Sequence, residues 1–371
     1  MASARSSAWW WFALWAGAGC DGGGCGDGEL QDLSLAIGGG CLVLREGGVC
    51  CWGSNANGEL GLGAAERSFE RPTRVPSLAN VRAVASAHRS RGALLADGTV
   101  RCWGLNDRGQ IGDASLTDRH APAAVTGLRD VTQLATDGEQ GFCALLRDGS
   151  PRCWGRLTRS FGGPSAVDIH PRPVWDVDGA VELSGTADLV ARTADGRVAE
   201  GEFLFDVGLR GVAALATGAG SQGCAILADR TLRCWGSNLS GELGDGTRGN
   251  GRRPPTDPGL AGMQSVATGG GHTCAVLNDR TVRCWGRDDS GQVGDGDGPT
   301  ARCEVVPGWV EPCRLRPVAV AGLTDVQRLA LGDNTSCAIR GDGSLWCWGS
   351  GLGSPEQSLD DHATPAEVDW R

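Results

Sequence analysis

The sixteen cysteines of this chain are the residues whose spacing speaks most directly of chemistry. Five pairs are each ten residues apart: Cys41/Cys51, Cys143/Cys153, Cys224/Cys234, Cys274/Cys284 and Cys337/Cys347. Each pair is symmetric about a short turn, as Cys143 and Cys153 are about Arg147-Asp148-Gly149. Folding back at such a turn sets the two cysteines opposite one another on adjacent strands, at a non-hydrogen-bonded pair where side chains lie closest. That is compatible with the Cα separation of about 5.5 Å that a disulfide prefers. Disulfide formation is the chemistry expected, and free cysteines packed as small apolar side chains are the competing reading. Cys303 and Cys313 repeat the spacing outside the hairpins, as a sixth candidate pair. Cys20, Cys25, Cys50 and Cys102 are left over, with Gly92 standing where a partner for Cys102 belongs. Zinc would call for Cys-x-x-Cys pairs, and the sequence has none.

Catalytic groupings do not emerge from the remaining residue types. Of the five histidines, His272 sits two residues before a repeated cysteine and reads as a structural polar contact, while the others show no nucleophile or carboxylate at a useful spacing. Asp97, Asp148, Asp229, Asp279 and Asp342 recur at turns and are turn formers first. Asp295-Gly296-Asp297 and Gly244-Asp245-Gly246 carry a trace of calcium-loop character without a full ligand run. No cofactor and no metal site is expected.

Composition narrows the classes further. The formal charge is −10, with no lysine at all, so arginine supplies every fixed positive side chain. Nucleic-acid binding needs basic side chains to replace condensed counterions, and an acidic chain opposes it. Glycine contributes 61 of 371 residues without a triplet period, which sets collagen aside. Residues 1–20 have one early arginine, an apolar run from Trp9 to Ala16 and small residues before Cys20. This is the anatomy of a signal peptide, too short to span a bilayer. Cys20 resembles the lipidated cysteine of bacterial lipoproteins, although Gly17 stands where a branched apolar residue is expected; Ala16-Gly17-Ala18 offers an ordinary cleavage site instead. Residues 21–29 then read as a Gly-rich tether. The chain is expected to be exported, to the periplasm, the outer surface or a membrane anchor at Cys20, and to be a monomer.

The elements that position the cysteines come from a repeat. Cys-Trp-Gly occurs at Cys51, Cys102, Cys153, Cys234, Cys284 and Cys347, and a worn copy without Cys or Trp runs from Asp195 to Gly201. Seven units of about 50 residues fall in the range of propellers and solenoids. Short alternating runs between Gly-rich turns indicate antiparallel strands, with turns such as Ala96-Asp97-Gly98 placing glycine in the left-handed position. Arg230 and Arg280 occupy that position in two copies, at about 1 kcal/mol each. Pro-x-x-Val followed by Leu-x-x-Val recurs between units, and the chain opens at Leu30-Gln31-Asp32-Leu33 and ends near Pro365-Ala366-Glu367-Val368. This phase predicts that residues 30–37 and 365–370 pair within one blade and close a ring.

The best copy, His272-Thr273-Cys274-Ala275-Val276-Leu277 through Cys284-Trp285-Gly286 to Gly291 and Gly294, resembles the regulator of chromosome condensation repeat. The resemblance covers residues 30–371 and implies an all-β, seven-bladed β-propeller of four-stranded blades. It is similar in kind to exported bacterial propellers, among them β-lactamase inhibitor proteins. For this chain it implies a non-enzymatic binding or scaffold module using one rim of the ring. The family namesake's guanine-nucleotide exchange on a small GTPase is the alternative, opposed by the signal peptide, the paired cysteines and the acidic charge. A propeller lyase or glycosidase is the second alternative, and would need acid/base groups converging on the central channel.

A partner-specific site should break the repeat symmetry. The insertion at 302–316, bracketed by Cys303 and Cys313, holds Trp309 among Arg302, Glu304, Glu311 and Arg314. An aromatic tip with a charged rim has hot-spot composition. A second irregular stretch, from Phe161 to Val177, contains Trp175. These six residues are the candidate contacts for an unidentified protein partner; surface decoration is the competing reading.

Overall fold

The computed structural model describes residues 25–26, 28–65, 68–136, 140–156, 167–173, 179–185, 190–200, 205–217, 221–297, 301–306, 308–350 and 362–370. Seven antiparallel sheets follow one another along the chain, here blades 1 to 7, at residues 30–74, 81–124, 131–173, 180–206, 212–256, 263–319 and 326–368. Each is a four-stranded meander, and blade 6 carries a fifth strand. The seven-bladed propeller expected from the repeat is the fold observed.

The local chemistry of the hairpins is as the sequence implies. Asp97 Oδ1 accepts hydrogen bonds from both the backbone N–H and the hydroxyl of Thr99, and Asp148, Asp229, Asp279 and Asp342 repeat this on the Ser or Thr two residues on. Arg230 and Arg280 take positive φ of 66° and 61° at the turn position that glycine fills in other blades. The five hairpin cysteine pairs lie directly opposite in register and are disulfide-bonded. Their Cα separation is 4.1 Å, nearer the spacing of a non-hydrogen-bonded strand pair than the disulfide mean anticipated from sequence. Strand pairing, rather than the disulfide, sets the distance.

Neighbouring blades are joined through the repeated tryptophans. Trp103, Trp154 and Trp285 each donate an indole N–H to a backbone carbonyl in the preceding blade's loop, at Glu59, Gln110 and Glu242, over 2.7–2.8 Å. Trp348 does the same to Gln292. The loop glycine two residues further on closes the fit: a Cβ at Gly244, where φ is +71°, would stand 2.7 Å from the Trp285 indole nitrogen. In the worn blade 4 the Glu200 carboxylate receives the Trp235 indole N–H instead.

Ring closure differs from the expectation. The strand Leu30–Ala36 pairs with Gly39–Leu44 inside blade 1, and His362–Val368 pairs with Leu345–Gly349 inside blade 7. The terminal strands therefore do not share a blade. Leu-x-x-Val leads into the innermost strand of a blade and Pro-x-x-Val lies at the outer edge, so the phase read from sequence marks a boundary between blades rather than a split blade. The seam is closed by packing: Trp370 is buried with Leu30, Leu44, Cys50, Ile339 and Leu345. Cys25, expected in a tether, is also buried here and forms a disulfide with Cys50. The free Cys102 is buried in blade 2.

Candidate functional site

In an antiparallel four-stranded blade, the turn from strand one to two and the connection from strand three to four emerge at the same end. The insertion of blade 6 lies in such a three-to-four connection. It is a β-hairpin rather than a loop: Ala301–Val306 and Trp309–Ala319 pair antiparallel, with Arg302 opposite Pro312, Glu304 opposite Val310 and Val306 opposite Trp309. β-branched residues on both sides of Pro307-Gly308 explain the pairing. The arm Trp309–Ala319 is also the fourth strand of the blade, pairing with Val282–Arg287. Cys303 and Cys313 are disulfide-bonded, with Cα atoms 5.9 Å apart.

Side chains of the inner arm anchor this hairpin. The Glu311 carboxylate, 7% exposed, accepts a 2.6 Å hydrogen bond from Ser240 Oγ of blade 5 and pairs with Arg287 Nε at 3.3 Å. Arg314, 5% exposed, lies between Asp295 at 2.5 Å and Asp288 at 3.5 Å. Asp288 stands where other blades have asparagine. Asn55, Asn106 and Asn238 each accept the N–H five residues on and donate from Nδ2 to loop carbonyls. Asp288 keeps the first bond, to Val293 N–H at 3.1 Å, but has no N–H to donate. Arg314 meets its second carboxylate oxygen instead. Burial pushes the Asp288 carboxyl up to about 6, with Arg314 opposing and Asp295 and Asp289 assisting the rise. Burial also raises Glu242, with the Glu311 charge assisting.

The sequence-predicted site residues thus fall into three groups. Glu311 and Arg314 are brought together near blade 5, but as buried anchors, which corrects the expectation that they form an exposed rim. Arg302, Glu304 and Trp309 share the hairpin by backbone position. Trp175, Cys20 and the 1–20 segment lie outside the described residues. The aspartates with calcium-loop character are committed internally, Asp245 to Thr247 and Asp295 to Arg314. His272 makes the structural contact expected, Nε2 to Ser336 Oγ at 2.9 Å, and burial holds its pKa down to about 3.

One set of residues escaped the sequence reading. The inner strands of blades 2, 3, 5 and 6 end in Ser86, Thr136, Thr217 and Thr268, and these line a cavity of about 410 Å³ at the mouth of the central channel. The signal was available: Val-Ala-Ser, Leu-Ala-Thr, Leu-Ala-Thr and Val-Ala-Thr close those strands, whereas blade 7 reads Leu-Ala-Leu.

Comparison with known proteins agrees with this architecture. The profile of the regulator of chromosome condensation (RCC1) repeat matches residues 46–93, 93–110, 263–292 and 326–352. The human probable E3 ubiquitin-protein ligase HERC3 is 32% identical over 146 residues, 38% of this chain and 14% of that protein. The Arabidopsis thaliana mitochondrial RCC1 domain-containing protein RUG3 is 32% identical over 137 residues, 36% of this chain and 30% of that one. The chain thus spans less than a third of either relative. Among solved structures, Prp20p of Saccharomyces cerevisiae superposes with a TM-score of 0.73 at 23% identity, covering 91% of this chain and 87% of its own. Human WBSCR16 superposes with a TM-score of 0.54 at 20% identity, covering 92% and 83%. At these identities the likeness is one of fold. Repeat, fold and blade chemistry together make the chain a seven-bladed propeller. Four stretches of it match the RCC1 repeat.

Proposed function

We propose that the chain is a non-enzymatic protein-binding propeller, working in an oxidising, extracytoplasmic compartment and docking its partner on the face that bears the blade 6 hairpin. The observation that carries this is the anchoring of that hairpin. It is the largest departure from the repeat, yet it is held by a disulfide, a buried Glu311 contact to blade 5 and the Arg314 ion pairs. A preorganised element loses little entropy on binding. Seven disulfides fit an oxidising environment, and no helix among the described residues is long and apolar enough to cross a membrane. Prp20p is described by its binding to Gsp1p and histones; an exchange-factor role here has no residue-level support, and the acidic charge opposes histone-like or nucleic-acid partners.

The test is affinity capture from extracytoplasmic fractions of the native cell, comparing wild type with Trp309→Ala. The captured partner should bind the variant more weakly by about 2 kcal/mol or more, the hot-spot range, with thermal stability nearly unchanged. Equal binding by the two proteins rejects the hairpin as the site.

A further inference from the structure

The channel mouth has a chemistry of its own, separate from the hairpin. At the end of the inner strands, the same register position holds Leu35, Ser86, Thr136, Thr217, Thr268 and Leu331 in blades 1, 2, 3, 5, 6 and 7. Blades 7 and 1 are adjacent across the seam, so the wall is apolar on one side, extended by the half-exposed Ile37, and hydroxyl-bearing on the other. Among the described residues, the one charged side chain in the lining is Asp333. Among the described residues its carboxylate makes no direct ion pair or hydrogen bond, and it feels the Arg287 charge, which is paired with Asp289 and Glu311, from a distance.

Behind the polar wall, several buried atoms lack partners. Thr268 is 8% exposed and lines the cavity, and its Oγ1 makes no hydrogen bond. Gln222 donates from Nε2 to Gly269 O at 2.9 Å, leaving Oε1 unpartnered. Ser336 Oγ donates to Gln292 O at 2.9 Å, so it accepts from His272 Nε2–H, and His272 Nδ1 is left a bare acceptor. Gly269 and Gly270 make the wall thin. A Cβ at Gly269 would stand 2.8 Å from His272 Nδ1, and one at Gly270 would collide with the Asp333 carboxylate. Gly270 N–H in turn donates to Gly332 O, fixing blade 6 to blade 7 beneath the site.

We propose that this mouth binds a primary ammonium group carried on a short aliphatic stem, with the head against Asp333 and Thr268 and the stem against Leu35, Ile37 and Leu331. In the lining itself, the unpartnered Thr268 hydroxyl and a carboxylate without a direct cation partner call for a cation rich in N–H donors. A volume of about 410 Å³ lies at the small end of ligand sites. The site does not depend on a protein partner at the hairpin, and its success or failure leaves that reading untouched. The same group occurs on free alkylamines and on lysine side chains.

Nuclear magnetic resonance titration of the oxidised full chain distinguishes the possibilities. n-Butylammonium should give saturable shifts confined to residues 268–270 and 331–333. n-Butanol should bind at least about tenfold more weakly, and butyrate should not saturate. Asp333→Asn, a substitution outside any strand, should abolish the preference for the amine over the alcohol, and the near-isosteric Thr268→Val should weaken the amine alone; thermal melts confirm that both variants fold. Nα-acetyl-lysine methylamide binding as well as n-butylammonium assigns the mouth to a lysine side chain of a polypeptide, whereas binding of the free amine alone assigns it to a small molecule. Absence of saturable shifts with either amine, or an amine affinity unchanged in Asp333→Asn, overturns the proposal.

Discussion

Single side chains in this protein are best understood by comparing the same position in different blades. Cys102 lacks a disulfide because Gly92 faces it, and Gly92 is glycine because blade 3 needs the space. A Cβ there would stand 2.9 Å from Leu134 and 3.1 Å from Phe142. Phe142, stacked on Trp154 with ring centroids 5.9 Å apart, is larger than its counterparts Gly40, Gly223, Thr273 and Ser336. One bulky aromatic replaces one staple, and burial pushes the stranded Cys102 thiol beyond the physiological range. The repeated tryptophans behave oppositely, with almost no variation. Trp285→Ala should cost about 3–5 kcal/mol of folding stability by denaturant unfolding, because it empties a fully buried site between blades 5 and 6. The loop carbonyl of Glu242 would still receive the Thr273 hydroxyl at 3.0 Å, so a lost hydrogen bond adds little. A loss below about 1 kcal/mol would show that the blades are held elsewhere.

At the scale of elements, the blade 6 hairpin is coupled to its blade by a titratable contact. Asp288 is held near pH 6 in the fold and lies near its ordinary value, about 3.9, when unfolded. Between these values the native state binds more protons than the unfolded state, so stability falls as pH rises from about 4 to about 6, by about 2–3 kcal/mol in the limit. Asp288→Asn restores the group found in blades 1, 2 and 5, and should flatten this part of the pH profile of the melting temperature. Glu242 and Asp32 are raised by burial and contribute with the same sign, so the measurement is the difference between variant and wild type. An identical slope in the two proteins would rule out Asp288 as its source. Sequence showed that the insertion broke the repeat and was cysteine-closed. It hid the destination of Glu311 and Arg314, because a charged residue near an aromatic reads as surface until its partners, Ser240, Arg287, Asp288 and Asp295, are brought near it by folding. The channel mouth was hidden for another reason: its residues come from different blades about 50 residues apart, and only the ring makes them neighbours.

For the whole molecule, the blade count was legible because each unit repeats a local hairpin, whereas closure was not, because it depends on where the blade frame is cut. Pro-x-x-Val and Leu-x-x-Val fix the phase of the repeat, but only the sheet order shows that the cut falls between blades. The consequence is energetic. A ring closed by a shared blade would be held by backbone pairing, while this one is held across the seam by side chains. Arg71–Asp369, at 3.4 Å and well exposed, adds little to the seam. The stronger tie is Trp370, 4% exposed, which packs in one cluster with the Cys25–Cys50 disulfide, a bond that closes a stretch of 25 residues on the blade 1 side of the seam. Trp370→Ala should therefore cost about 3–5 kcal/mol, and replacing both Cys25 and Cys50 by alanine about 3 kcal/mol. Since both changes loosen one cluster, their combination should depart from additivity by about 0.5–3 kcal/mol. Denaturant unfolding of the oxidised protein measures all four corners of the cycle. Strict additivity would mean that Trp370 and the disulfide stabilise separate regions, and that blades 7 and 1 part without either one sensing the other.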